Sequence, residues 1–177
     1  MRRDIPVLIS AERIQQRIDE LAIDIARTYR GQSVTIVGVL TGCLIFLADL
    51  IRRLDFPLRI ALVQASSYRG TATMPGSLHV EDELLPDLRG RHILLLDDIL
   101  DSGQTLHYMV EHLQKLGTAS VRVAVLLRKV GRQTQTLEPD FCGFSIPDEF
   151  VIGYGLDYND EYRNLPFIGV LPKEARR

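Results

Sequence analysis

Apolar positions along this chain recur in two alternating rhythms. Ser10 can cap a first helix in which Ile14, Ile18, Leu21 and Ile25 line one face, with charges on the other. Val34 to Leu40 reads as a buried strand, Thr41-Gly42-Cys43 as a tight turn and Leu44 to Arg53 as a helix. Ile60 to Ser67 is a further strand, and the aliphatic run from Ile93 to Leu96 fits a buried strand of a parallel sheet. Leu106, Met109, Val110, Leu113 and Leu116 then return at helical spacing, and Gly117 supplies a stop. Val121 to Leu127 repeats the buried-strand pattern, while Phe141 to Ile146 and Phe150 to Tyr154 read as shorter strands separated by Pro147-Asp148-Glu149. Strands alternating with helices predict an α/β fold with a mostly parallel sheet flanked by crossover helices. Tyr68 to Ser77 has no apolar period and is rich in Gly, Thr and Ser, with Pro75. That composition predicts a long loop of the kind often used as a lid.

The bulk numbers narrow the class without choosing a function. A chain of 177 residues reads most simply as one domain, and 46% hydrophobic with 25% charged residues is ordinary for a globular protein. A net charge of -2 points away from nucleic acid as the main partner, and the basic pairs Arg52-Arg53 and Arg176-Arg177 read as solvated ends. No apolar run reaches the length of a membrane span, and no secretory apolar core follows Met1-Arg2-Arg3-Asp4. Cys43 and Cys142 form no CxxC pattern, so two free thiols in a cytoplasmic protein are expected. The four histidines show no HxxxH or HExxH spacing, which argues against a zinc site.

The most informative stretch runs from Ile93 to Thr105. Its apolar run ends in the pair Asp97-Asp98, and the short loop Asp101-Ser102-Gly103-Gln104-Thr105 opens an amphipathic helix. A strand–loop–helix of this kind aims backbone N–H groups and the positive helix end at one point, where a phosphate would sit. Gly103 allows close backbone approach, and the Ser102 and Thr105 hydroxyls can donate to phosphate oxygens. A phosphate alone needs no carboxylates beside it. Asp97, Asp98 and Asp101 therefore suggest sugar hydroxyls, a metal ion or proton transfer in the same pocket.

The segment resembles the signature of the type I phosphoribosyltransferases, two acidic residues followed by an Asp-Ser/Thr-Gly-x-Thr loop. Four further segments resemble one branch, the hypoxanthine-guanine phosphoribosyltransferases, in the family's order. They are Val39 to Leu50, Ala65-Ser66-Ser67-Tyr68, Leu126-Leu127-Arg128-Lys129, and Phe144 to Tyr158 continuing through Tyr162-Arg163-Asn164-Leu165-Pro166. The last is the most specific, because other phosphoribosyltransferases lack it. The resemblance implies the type I fold over residues 1–177, with a lid at about 68–79 and a small hood built from the N-terminal segment and about 141–177.

It also implies a reaction: transfer of the 5-phosphoribosyl group of phosphoribosyl pyrophosphate to N9 of hypoxanthine or guanine, releasing pyrophosphate, with Mg²⁺ as cofactor. The leaving group is highly charged, which is what a bound Mg²⁺ neutralises. By resemblance, Thr41, Gly42, Ser102, Gly103, Gln104, Thr105 and Arg163 bind phosphoribosyl pyrophosphate together with Asp97, Asp98 and Asp101. Asp97 and Asp98 also face the metal, and Asp157 a second metal. Asp101 is the expected general base, although an aspartate in such a turn can equally shape the loop by bonding backbone N–H groups. Lys129 donates to the 6-oxo group, Phe150 stacks on the purine, and Val151, Ile152 and Asp157 complete its pocket. Ser67 and Tyr68 belong to the lid, whose closure would exclude water.

Three positions depart from the family pattern. Thr41 stands where a Lys or Arg is usual, Asp97 is one methylene shorter than the common glutamate, and Cys43 replaces a small residue. A cis peptide bond is expected at Thr41–Gly42. A homo-oligomer, dimer or tetramer, is expected by analogy alone. Two other readings stay open: a relative preferring xanthine, and a non-catalytic RNA-binding regulator with the same fold.

Overall fold

The computed structural model describes residues 5–67, 78–81, 85–135 and 137–176. Nine strands and three α-helices follow one another as β1 (Val7–Ile9), α1 (Ala11–Thr28), β2 (Val34–Leu40), α2 (Leu44–Ile51), β3 (Leu58–Ser67), β4 (Leu78–Glu81), β5 (His92–Leu100), α3 (Gln104–Lys115), β6 (Ser120–Lys129), β7 (Phe141–Ile146), β8 (Val151–Ile152) and β9 (Ile168–Val170) among the described residues. The main sheet has the order β4-β3-β2-β5-β6-β7, in which all pairings are parallel except that of the edge strand β4 with β3. A second sheet, order β1-β9-β8, is antiparallel.

The central strands are apolar on both faces because helices cover both. Along β5, Leu94 and Leu96 point into the layer shared with α1 and α2, while Ile93 and Leu95 point into the layer shared with α3. On the first side Ile14, Ile18, Leu21 and Ile25 of α1 and Phe46, Leu47 and Leu50 of α2 fill the space. On the other, Leu106, Met109 and Leu113 of α3 pack on Val37, Val39, Val123 and Val125. Each fully buried Leu or Ile contributes about 1.5–3 kcal/mol against an exposed one. Ser10 caps α1 by accepting from the Arg13 N–H at 3.4 Å, as its position predicts. Among the described residues, no helix is long and apolar enough to cross a membrane.

The structure changes several expected boundaries. Phe141–Ile146, expected in the hood, is the last strand of the main sheet, because it pairs in parallel with β6 and buries Phe141 and Ile146 in the main core. The hood sheet is made by β1, β8 and β9, with its own small core of Ile152, Leu165 and Leu171. Of the expected lid, residues 68–77 lie outside the described residues, Tyr68 among them. Residues 78 and 79 begin β4 rather than continuing a loop. Ser67 ends β3, paired with Leu78. The cis bond falls at Leu40–Thr41, one bond before the expected position, where the last β2 residue to pair with β3 meets the turn.

Candidate active site

Strand β5 pairs with β6 beyond its apolar run, through Asp97↔Val125 to Leu100↔Arg128. The acidic pair therefore lies inside the strand near its carboxyl end, not in the loop after it. Ligands on such sheets bind at this end of the strands. Residues 101–103 then bend, and Gly103, at φ +83°, takes the left-handed conformation that lets α3 start at Gln104. The Ser102 hydroxyl accepts from the Gln104 N–H at 3.4 Å. A cavity of about 280 Å³ opens here, lined by Asp97, Asp98, Asp101, Ser102, Gly103 and Thr105 among others. A larger depression of about 440 Å³ lies at Leu85–Arg89 and Leu116, where the chain approaches β5 from the opposite end, and carries none of this chemistry.

The two carboxylates share a tight space. Asp97 Oδ1 accepts the Asp98 backbone N–H at 2.9 Å, and a Cβ on Gly42 would overlap the Asp98 carboxylate. Only glycine at position 42 lets the turn after β2 approach so closely. Burial, followed by the charge of Asp98, pushes the Asp97 carboxyl well above the usual range, and burial also raises Asp98. Burial and then the charges of Asp97 and Asp98 push the Cys43 thiol up, so it stays protonated at neutral pH. Two adjacent buried carboxylates suit a hard divalent cation, which would neutralise their repulsion. No group of three or more protein ligands for a metal forms among the described residues.

Replacing Asp97 by Asn is expected to stabilise the metal-free protein at neutral pH. An unfolded aspartate ionises near pH 4, whereas folded Asp97 holds its proton higher. Between those two pH values the folded state binds more protons than the unfolded one, so stability falls as pH rises through that window. The variant escapes this loss. Its Tm should exceed the parent's by roughly 2–8 °C at pH 7.5, for a gain of about 1–2 kcal/mol, and by less near pH 4. Calorimetry at both pH values checks this; a Tm gain that does not shrink toward pH 4 would contradict it.

The far wall of the pocket is a charged cluster. Lys129, nearly buried at the end of β6, donates to Asp101 Oδ2 at 3.1 Å and lies 3.7 Å from Asp148 Oδ1. Arg132 Nε donates to Asp101 Oδ1 at 3.0 Å and lies 3.6 Å from the same Asp148 oxygen. Burial alone would raise the Asp101 carboxyl, but Arg132 and Lys129 prevail and hold it below the usual range. The segment after β6 also braces the phosphate loop: the Thr134 N–H donates to the Ser102 carbonyl at 2.9 Å, and Gln133 Nε2 to the Asp101 carbonyl at 3.2 Å.

The hood closes the other side. Arg163 donates through Nη1 to the Gly155 carbonyl at 2.7 Å and through Nη2 pairs with Asp157 Oδ1 at 2.9 Å. Its charge also bears on Asp98. Asp157 Oδ2 accepts the Asp160 N–H at 2.9 Å, so this carboxylate shapes its turn and neutralises Arg163. Phe150 meets Tyr158 edge-on at 5.7 Å, and the Arg176 guanidinium lies over the Phe150 ring at 5.0 Å. Arg176 is thus no solvated end: it folds back to donate to the Leu171 carbonyl. Val151 pairs with Val170. The Ile152 side chain is fully buried in the hood core, which leaves only its backbone to face a ligand. A cation at position 41 is absent, but the Thr41 carbonyl accepts the Leu44 N–H, which starts α2 directly after the turn.

Two groups had no signal in the sequence pattern. Arg132 meets Asp101 across 31 positions of chain, and Asp148 meets Lys129 and Arg132, from loops without periodicity. Arg53, set aside as a solvated end, instead bonds Gln15 at 2.8 Å, and Gln15 in turn donates to Asp49 at 3.0 Å; Tyr154 donates to the same Asp49 carboxylate, tying the hood to α1 and α2.

The parallel sheet, the acidic strand end and the phosphate-type loop define a nucleotide-handling α/β protein. The phosphoribosyl transferase domain family matches residues 9–159, and the chain belongs to that family. Within it, the chain is 41% identical over 172 residues to the hypoxanthine-guanine phosphoribosyltransferase of Bacillus subtilis, covering 97% of this chain and 96% of the relative. It is 38% identical over 170 residues to the hypoxanthine-guanine-xanthine phosphoribosyltransferase of Tritrichomonas foetus, covering 96% and 92%. The crystal structure of a hypoxanthine phosphoribosyltransferase from Staphylococcus aureus superposes with a TM-score of 0.93 at 38% identity, over 100% of this chain and 97% of that one.

Proposed function

We propose that this chain is a cytoplasmic purine-salvage enzyme that transfers the 5-phosphoribosyl group of phosphoribosyl pyrophosphate to N9 of hypoxanthine, guanine or both, giving IMP or GMP and pyrophosphate. The observation that carries the reading is the convergence of Asp101 and Lys129, 3.1 Å apart, beside the phosphate-type loop and the Asp97-Asp98 pair. The relatives named for this activity support it over nearly the whole chain.

In this reading the backbone amides of residues 102–105 and the Ser102 and Thr105 hydroxyls hold the 5-phosphate at the positive end of α3. Asp97 and Asp98 face the ribose hydroxyls and would hold one Mg²⁺, and Asp157 would face a second. When bound, that ion neutralises charge on the departing pyrophosphate. Arg163 and the turn at Thr41-Gly42 receive the pyrophosphate, the arginine through its planar fork. Lys129 donates to the purine 6-oxo group, which disfavours adenine because a donor would then face a donor. Phe150 stacks on the base, the Val151 carbonyl and Ile152 backbone border its edge, and Asp101 takes the imidazole proton.

The test is an absorbance assay with phosphoribosyl pyrophosphate and Mg²⁺ across hypoxanthine, guanine, xanthine and adenine. Turnover of hypoxanthine or guanine with adenine inert supports the reading. Turnover of xanthine in preference to both would move the chain to the xanthine branch, and no turnover of any 6-oxopurine would refute it.

A homo-oligomer is also proposed. Ile60 and Leu62 of β3 and Leu44 and Ile45 of α2 are exposed, and Leu62 lies beside Leu47 of α2, so these residues can form one apolar face for a second copy. Light scattering should give a dimer or tetramer mass, reduced by Leu62→Lys; a monomer at micromolar concentration would contradict this.

A further inference from the structure

We propose that Arg132 is a positioning residue that is handed from Asp101 to Asp148 when the purine enters, so that Asp101 is released to accept the proton. The inference rests on the reading of Asp101 as the base. Four charged side chains from three parts of the chain face one another here: Asp101 from the phosphate loop, Lys129 from the end of β6, Arg132 from the following loop and Asp148 from the turn after β7. In this structure both cations bond Asp101, and both have Asp148 as a second acceptor within 3.7 Å.

That arrangement is well satisfied electrostatically and poorly set up for proton transfer. A carboxylate bonded by two cations is a weak base. Lys129 has a new partner once the 6-oxo oxygen arrives, but Arg132 gains nothing from the purine's N7 edge. Left on Asp101, it would keep the carboxylate from taking up the proton. Asp148 lies close enough to receive the Arg132 guanidinium after a small side-chain movement, since the same Nε already lies 3.6 Å from it. Arg132 is half exposed and on a loop, so the shift needs no repacking of the core. In the step that follows, the imidazole N–H bond of the purine breaks, its electron pair stays on the ring, and the proton forms an O–H bond with Asp101. The role of Arg132 in that step is to have left.

The prediction separates the free protein from the complex. The pH profile of kcat/KM reports groups in the free enzyme, and that of kcat reports those in the complex. With hypoxanthine, saturating phosphoribosyl pyrophosphate and Mg²⁺, Arg132→Gln should move the acidic limb of kcat/KM to higher pH and leave that of kcat in place. Arg132→Lys should restore the parent profile. Asp148→Asn should strand Arg132 on Asp101 and lower kcat roughly tenfold, a part of the about 10²–10⁴-fold that a general base supplies, and adding Arg132→Gln should recover it. A purely structural Arg132 would move both limbs together or neither, and would make the double variant no faster than Asp148→Asn; either result overturns the proposal. If the parent turns over and its acidic limb persists in Asp101→Asn, the reading of Asp101 as base fails, and the hand-off fails with it.

Discussion

Asp101→Asn is expected to lower kcat by about 10²–10⁴-fold while changing the KM for phosphoribosyl pyrophosphate little, because it removes a proton acceptor and keeps a side chain of the same shape. Asp101 stands at the first position of the loop after β5, within 3.1 Å of Lys129 and 3.0 Å of Arg132. The amide oxygen can still accept from either cation, so the loop should keep its geometry. The acidic limb of the rate profile should disappear with the carboxyl group. Steady-state assays from pH 5 to 9 check both points. A variant within about threefold of the parent would leave Asp101 with the other role open to it, that of shaping the turn.

Gly155→Ala should be among the most damaging small changes to the hood. Gly155 has φ +101°, and a Cβ there would overlap the Gly42 carbonyl. Gly42 cannot retreat, since its own Cα abuts the Asp98 carboxylate. Strain at such a backbone position costs about 1–3 kcal/mol, and forced overpacking about 1–3 kcal/mol more. A loss of about 2–6 kcal/mol lowers Tm by roughly 4–24 °C in a protein of this size. Because Gly155 also bonds Arg163 through both its N–H and its carbonyl, KM for phosphoribosyl pyrophosphate should rise with the hood displaced. Gly31→Ala is the control: φ is +73° with nothing within 4 Å of a Cβ, so only the smaller conformational cost remains. Equal Tm losses in the two variants would contradict the contact between hood and turn.

These two residues mark how far the sequence could be read. Asp97 to Thr105 was legible because its chemistry is contiguous: an apolar run, an acidic pair and a small-residue loop stand next to one another in the chain. The helices were legible because α1 and α3 carry apolar stripes of helical period. Strands β1 and β9, three residues each, are too short for a period-two pattern, and β4 is defined by its pairing with β3. The strand was read as ending with its apolar run at Leu96 because polarity was taken to mark the end; the ladder with β6 runs past it to Leu100. Arg132 and Asp148 were invisible for a different reason. Their meaning comes from partners brought together from distant parts of the chain, Asp101 and Lys129, and nothing local distinguishes them from solvated loop charges. Tyr154, at φ +52° and hydrogen-bonded to Asp49, is similar: read as the end of a strand from Phe150, it lies in the turn after β8, and nothing local named its partner.

The account stands on the turn after β5 gripping a phosphate ester while the strand's acids face the sugar. A crystal structure of the protein with IMP and Mg²⁺ tests this directly. The account predicts the 5′-phosphate on the backbone amides of residues 102–105, the ribose hydroxyls toward Asp97 and Asp98, and the 6-oxo oxygen on Lys129 in place of Asp101. A nucleotide bound at full occupancy with its phosphate elsewhere, and those amides facing solvent, would contradict it.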